Sequence, residues 1–325
     1  MEDSFSMLIN PEILTLYILN ILFFLFMSLA FVMSFKIVRR WDSSATTELQ
    51  YTLEKRSYLS ATIIKYIFYI KIPLFLFFIF TLDKISFVLP GAMCGAGVVN
   101  ASEYATPLLF FKVINLYLFA YWITLDSEDM KRESQPYLKQ KFSLFLVFYL
   151  LFIIEIALET TMFLNIDIKS VVDCCGTIFS NNDDTYLSLV LSMPHSLLLS
   201  LFYGNFILMY LASRFSQVTL FAFLNLTFIF ISLISLVAFF GTYIYELPTH
   251  HCPFCLLQQD YNYVGYLLYG VLFIGTFRGL VIGFIELRKN EREKSYRISL
   301  FFNALFLVIV SSYTLLYFIK NGVWL

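Results

Sequence analysis

Apolar residues in this chain come in long unbroken runs separated by short polar segments. Eight runs stand out: 12–36, 58–82, 107–125, 142–164, 186–213, 218–246, 263–286 and 298–319. A helix needs roughly 20 mostly apolar residues to cross the hydrocarbon core of a bilayer, and each run is close to that length or longer. The runs are continuous rather than alternating, which excludes a transmembrane barrel of period-two strands. In lipid, backbone N–H and C=O groups must be satisfied within the segment itself. The pattern therefore predicts an all-α, polytopic membrane helix bundle of about eight transmembrane helices, forming a single integral membrane domain over residues 1–325.

Composition agrees with that class. The chain is 59% hydrophobic and 14% charged, with mean hydropathy +0.77, where a soluble domain carries about 45–50% apolar and about 25% charged residues. The formal net charge of −1 leaves no electrostatic footprint for nucleic acid, and membrane lipids are the expected surroundings. The N-terminal Met-Glu-Asp-Ser-Phe-Ser lacks the basic n-region of a cleaved signal, so the first run is expected to be a retained helix.

The basic residues orient the bundle. Lys36, Arg39, Arg40, Lys55, Arg56, Lys131, Arg132, Lys139, Lys141, Arg214, Arg288, Lys289, Arg292, Lys294 and Arg297 fall on one side, against Lys84, Lys169 and Lys320 on the other. Cytoplasmic loops carry the Lys/Arg excess, which predicts both termini outward and outward loops at 83–106, 165–185 and 247–262. A bacterial inner membrane is the expected location. The charged loop 126–141 reads as a solvated face, and Tyr104, Trp122 and Trp324 read as interfacial anchors.

Orientation gives the soft side chains meaning. All five cysteines (Cys94, Cys174, Cys175, Cys252 and Cys255) and all three histidines (His195, His250 and His251) fall in or beside the outward loops. Cys94, Cys174 and Cys252 recur at intervals of about one helical hairpin, and an acid and then a tyrosine (Glu103 and Tyr104, Asp184 and Tyr186, Asp260 and Tyr261) follow Cys94, Cys175 and Cys252 by eight or nine residues before the next helix, a weak internal repeat. In Cys252-Pro253-Phe254-Cys255, two cysteines three apart at the expected start of a helix would lie near unpaired backbone N–H groups and the positive end of the helix dipole. Both favour thiolate, the attacking species in thiol–disulfide exchange. The same spacing also serves metal sites. Met93, Cys94, the Cys174–Cys175 pair, His195, His250, His251, Cys252 and Cys255 form a soft or borderline ligand set suited to copper or zinc. Haem ligation by His195 or the His250–His251 pair is a weaker variant. The plainest alternative is a non-enzymatic membrane subunit whose loops are braced by disulfides.

The stretch His251-Cys252-Pro253-Phe254-Cys255-Leu256-Leu257, followed by a membrane helix, resembles the motif of vitamin K epoxide reductase-like proteins and, in function, DsbB-type membrane thiol oxidoreductases. The resemblance covers about a dozen residues. It implies an outward-facing thiol–disulfide redox protein in which Cys252 and Cys255 exchange electrons with a quinone. Cys174 and Cys175 would then relay electrons to a periplasmic or extracellular thiol partner protein. Eight runs in place of a four-helix core, adjacent rather than spaced loop cysteines, and Cys94 without a counterpart are its departures.

Ionisable residues inside the runs are costly in lipid and usually paired or functional. Glu155 and Glu159, one turn apart, with Lys71 and Arg278 as partners, are the candidate proton path, whereas Lys65 and Lys112 are expected to snorkel toward the surfaces. The small-residue segment Pro90–Gly97 would let backbone approach closely or re-enter the bilayer. No phosphate-binding loop, HExxH motif or nucleophile elbow occurs in the sequence, so ATP-driven transport and serine or zinc hydrolysis find no support.

Overall fold

The computed structural model describes residues 10–42, 45, 47–132, 135–168, 171–172 and 193–325. Among them are eight helices long and apolar enough to cross a membrane: α1 (Pro11–Arg40), α2 (Glu48–Ser86), α4 (Ala105–Met130), α5 (Leu138–Asn165), α6 (His195–Arg214), α7 (Val218–Tyr245), α8 (Val264–Phe284) and α9 (Lys289–Asn321). A short α3 (Gly95–Asn100) lies between α2 and α4. The described residues contain no strand, and the chain is an integral, multi-pass, all-α membrane protein.

Helix ends follow local chemistry. Asn10 caps α1 by accepting the Glu12 N–H at 3.1 Å, Pro11 occupies the first turn, and Arg39 and Arg40 close the last, each favourable to the helix dipole. Both α2, with 39 residues, and α9, with 33, exceed a bilayer crossing. At 1.5 Å per residue α2 is about 58 Å long. The polar segments 48–57 and 289–297, expected as loop, are instead the projecting first turns of these helices.

The sequence reads as one membrane domain, and the described residues pack as two compact units: 1–90 with 98–170, and 91–97 with 171–325. In the first unit α1, α2, α4 and α5 form a ring in which each helix packs on two neighbours. Its aromatic centre has Phe68 stacked on Phe119 at 4.3 Å and edge-on to Trp122 at 5.5 Å. Trp122 is fully buried and donates Nε1–H to the Lys141 carbonyl at 2.8 Å, so it is a core residue rather than an interfacial anchor. Tyr104 and Trp324 are exposed.

In the second unit α8 lies between α7 and α9, and Gly275, Gly279 and Gly283 on α8 make that close approach feasible. A Cβ at Gly279 would overlap the Asn225 amide, and one at Gly275 the Asn303 amide. Asn225 Oδ1 accepts from Ser299 Oγ and Asn303 Nδ2, both at 3.0 Å, a buried polar knot that joins α7 to α9 across the glycines. Gly279→Ala is expected to destabilise the protein by about 1–3 kcal/mol through overpacking. Gly270→Ala, with open space around its Cβ, should be neutral or gain about 0.4–1 kcal/mol. Thermal unfolding of both variants in detergent checks the contrast, and equal melting temperatures would contradict it.

Candidate metal centre

Two segments of the second unit build the site. The first is Gly91–Gly97. Gly91 has positive φ (87°), and a Cβ there would lie 2.5 Å from the Val172 carbonyl oxygen, while one at Gly97 would lie 2.7 Å from Ala92 Cβ. The small residues therefore permit a tight chain reversal against residue 172 that turns Cys94 inward.

The second segment joins α7 to α8. The chain leaves α7 through Glu246 in the left-handed conformation and passes His250, His251 and Cys252. It then makes two 3₁₀ turns, Cys255–Leu257 and Gln259–Tyr261. Asn262 and Tyr263, both at positive φ, separate these turns from α8, which starts at Val264. The Cys252–Cys255 motif therefore does not open a membrane helix, and a three-residue 3₁₀ turn has no macrodipole comparable to that of a long helix. The expected dipole activation of a thiolate falls away. Gly265 lets this loop fold back on α8, since a Cβ there would sit 2.9 Å from the Leu256 carbonyl carbon.

Hydrogen bonds fix the loop. Tyr245 Oη donates to the Cys252 carbonyl, Tyr269 Oη to the Pro253 carbonyl at 2.9 Å, and Gln258 Nε2 to the Met93 carbonyl at 3.0 Å. The last bond clamps the two segments together. Burial and the neighbouring Cys255, Asp260 and Cys252 raise the Tyr261 hydroxyl above the usual phenol range.

The result is a group of three buried sulfurs. Cys94, Cys252 and Cys255 place their Sγ atoms within 4.8 Å of one another, with exposures of 0%, 1% and 6%. Cys94 Sγ and Cys252 Sγ are 3.6 Å apart. A disulfide requires about 2.05 Å. Two ligands about 2.3 Å from a tetrahedral ion stand about 3.8 Å apart, so the Cys94–Cys252 spacing suits a shared ion, and the 4.8 Å bound puts Cys255 within about 1 Å of the same geometry.

His250 lies against the site. Its ring packs edge-on to Tyr245 at 4.4 Å, and its Nε2 is enclosed with no hydrogen-bond partner among the described residues. Burial lowers its pKa, with His251 adding to the effect and Cys94 opposing it. A neutral imidazole, the form that ligates metals, is thereby favoured.

The other expected ligands point elsewhere. His251 Nδ1 meets the Val237 carbonyl at 3.0 Å. The His195 ring packs on Phe239 at 5.2 Å, and Met93 is 77% exposed. Cys174 and Cys175 lie outside the described residues.

The candidate proton-path residues separate. Glu155 Oε1 accepts from Lys71 Nζ and Lys112 Nζ, both at 2.9 Å, and its Oε2 accepts from Asn115 Nδ2 at 2.6 Å. Glu159 accepts from Asn20 Nδ2 at 2.8 Å and pairs with Lys112 at 2.7 Å. All four helices of the first unit contribute. Lys112 is not a snorkelling residue but the hub of this network, and burial at 7% exposure reflects the face of α4 on which it lies. Arg278 is on α8 in the second unit, where it makes no ion pair among the described residues. A second network also corrects the solvated-face expectation for 126–141: Lys141 pairs with Asp126 and Asp129 at 2.8 and 2.9 Å, and Lys65 with Asp126 at 3.0 Å. Asp126, Glu128, Asp129 and Lys141 are all buried, because α4 extends to Met130 and α5 starts at Leu138, both inside the segment read as loop.

No family model, curated protein or solved structure matches this chain. The likeness of residues 251–257 to vitamin K epoxide reductase-like proteins therefore stands on those residues alone.

Proposed function

We propose that this is a metal-binding membrane protein, with Cys94, Cys252 and Cys255 as thiolate ligands and the neighbouring His250, which is not among the groups within 4.8 Å of one another, turning its ring inward to complete a tetrahedral site for zinc. The convergence of three buried sulfurs within 4.8 Å is the observation that carries this reading. Thiolates select zinc or copper(I) over hard cations. Three thiolates with Zn²⁺ leave one net negative charge, and with Cu⁺ two. Burying uncompensated charge is costly, so an enclosed site favours zinc. A site of four protein ligands is closed, as in structural zinc centres, and here it would tie residues 91–97 to the loop between α7 and α8. The distribution of Lys and Arg supports outward termini and a non-cytoplasmic face for this loop.

The test is metal analysis of protein purified in detergent without chelators. About one zinc per chain is expected, falling to background in Cys94→Ser and Cys255→Ser. Stoichiometric copper instead would reassign the ion, and absence of both metals after reconstitution would defeat the reading.

A second reading, thiol–disulfide redox, draws on the 3.6 Å between Cys94 Sγ and Cys252 Sγ. An approach of about 1.5 Å would bring them to bonding distance. Two thiols would then yield one disulfide, two protons and two electrons, the electrons passing to a quinone or to a partner disulfide through Cys174 and Cys175. Reactive cysteines are partly exposed, and exposures of 0–6% at these sulfurs weigh against direct exchange with a soluble partner. Differential alkylation before and after reduction distinguishes the two readings.

A further inference from the structure

The second unit also contains a cavity of about 540 Å³, bounded by α6, α7 and α9. That is within the roughly 300–1,000 Å³ of small-molecule sites. It begins beside His195, the first residue of α6, and reaches Tyr203, a depth of about 12 Å along the helix. One wall is a π-helical turn in α7, Leu236–Phe240, which presents Phe239 and Phe240 to the cavity. Such widened turns recur at functional sites, and here His251 Nδ1 holds the turn at the Val237 carbonyl.

The lining is apolar with a few placed oxygens. Tyr203 Oη and Ser311 Oγ are hydrogen-bonded at 2.8 Å. Thr314 Oγ1 is enclosed with no partner among the described residues. No Lys, Arg, Asp or Glu lines the space, and its ionisable lining is His195 at the mouth and the main chain of Leu325, so a charged headgroup beside Thr314 and the Tyr203–Ser311 pair would meet no side-chain counter-charge there.

We propose that this cavity binds a neutral single-chain lipid whose hydroxyl or carbonyl oxygen hydrogen-bonds Thr314 and the Tyr203–Ser311 pair. A plain acyl chain from the bilayer would fill the volume but give Thr314 no partner. This site is separate from the sulfur cluster and does not rest on the metal reading.

The probe is a diazirine-bearing monoacylglycerol in phosphatidylcholine nanodiscs, compared with diazirine-bearing fatty acid and phosphatidylcholine of the same chain. The expected result is saturable labelling by monoacylglycerol alone, mapped by mass spectrometry to α6, α7 and α9 and displaced by unlabelled monoacylglycerol. Leu199→Trp, which fills the cavity, should cut labelling at least tenfold. Thr314→Val should weaken it about fivefold, the value of one ordinary hydrogen bond, with elution profile and melting temperature preserved. Should Leu199→Trp misfold, Ser311→Ala takes its place, with a threefold or greater loss expected. Equal, unsaturable labelling by all three probes, or labelling indifferent to the variants, would overturn the proposal and leave the cavity to bulk acyl chains.

Discussion

Glu155→Ala is expected to destabilise the first unit by about 3–5 kcal/mol, the usual effect of removing one partner from a buried ion pair. Glu155 is 2% exposed and accepts from Lys71, Lys112 and Asn115. Its loss leaves the Lys71 ammonium without a paired carboxylate among the described residues and strands the Asn115 amide. Lys112 retains its pair with Glu159 at 2.7 Å, and among the described residues Lys71 keeps the Phe152 ring face at 4.9 Å, worth roughly 2 kcal/mol when desolvated and less than the lost ion pair. The penalty thus comes chiefly from Lys71. The double change Glu155→Leu with Lys71→Met should recover most of the loss, because it removes one charge of each sign and fills the space with apolar atoms. Denaturant or thermal titration in micelles reads both. A Glu155→Ala loss under about 1 kcal/mol, or a double variant no better than the single, would show that the pair contributes little to folding.

The parts of this fold legible in the sequence are those that lipid enforces. Each of the eight apolar runs became a membrane-length helix, because no other conformation satisfies the backbone there. Faces were not legible. Hydropathy placed Lys112 near the end of a run and Trp122 at an interface, yet both point inward, because the ring of α1, α2, α4 and α5 decides which side of α4 is enclosed. Asp126 and Asp129 look like loop in a linear reading and are buried against Lys141. Gly275 and Gly279 admit Asn303 and Asn225, a partnership across three helices that hydropathy along the chain does not show. In the site, residue types were legible and partnership was not. Cys94 and Cys252 are 158 positions apart, and the Gly91–Gly97 turn and the Gln258–Met93 bond help bring them together. The histidines divide for the same reason: adjacent His250 and His251 face a ring and a main-chain carbonyl respectively.

Removing the ion should be felt as a loss of stability confined to the second unit. A ligand that binds only the folded state stabilises it by about 4 kcal/mol at a free concentration 1,000 times its Kd, and structural zinc sites bind tightly enough to reach that regime. Chelation of purified protein is therefore expected to lower its melting transition, and added zinc to restore it. Loading should release up to about three protons, because thiols ligate as thiolates. Calorimetry in buffers of different ionisation enthalpy measures that number. Cys252→Ser should abolish both the restoration and the proton release, since Cys252 Sγ lies 3.6 Å from Cys94 Sγ and Tyr245 holds its carbonyl in place. Glu155→Ala, in the first unit, should melt lower yet keep the full zinc-dependent shift. His250→Ala should weaken zinc by about 10–100-fold while leaving three sulfurs able to take copper(I), a split a purely structural histidine would not produce. A melting transition indifferent to chelator, zinc and copper, in protein whose thiols are shown by alkylation to be reduced, would rule out the metal centre and return the three sulfurs to redox chemistry.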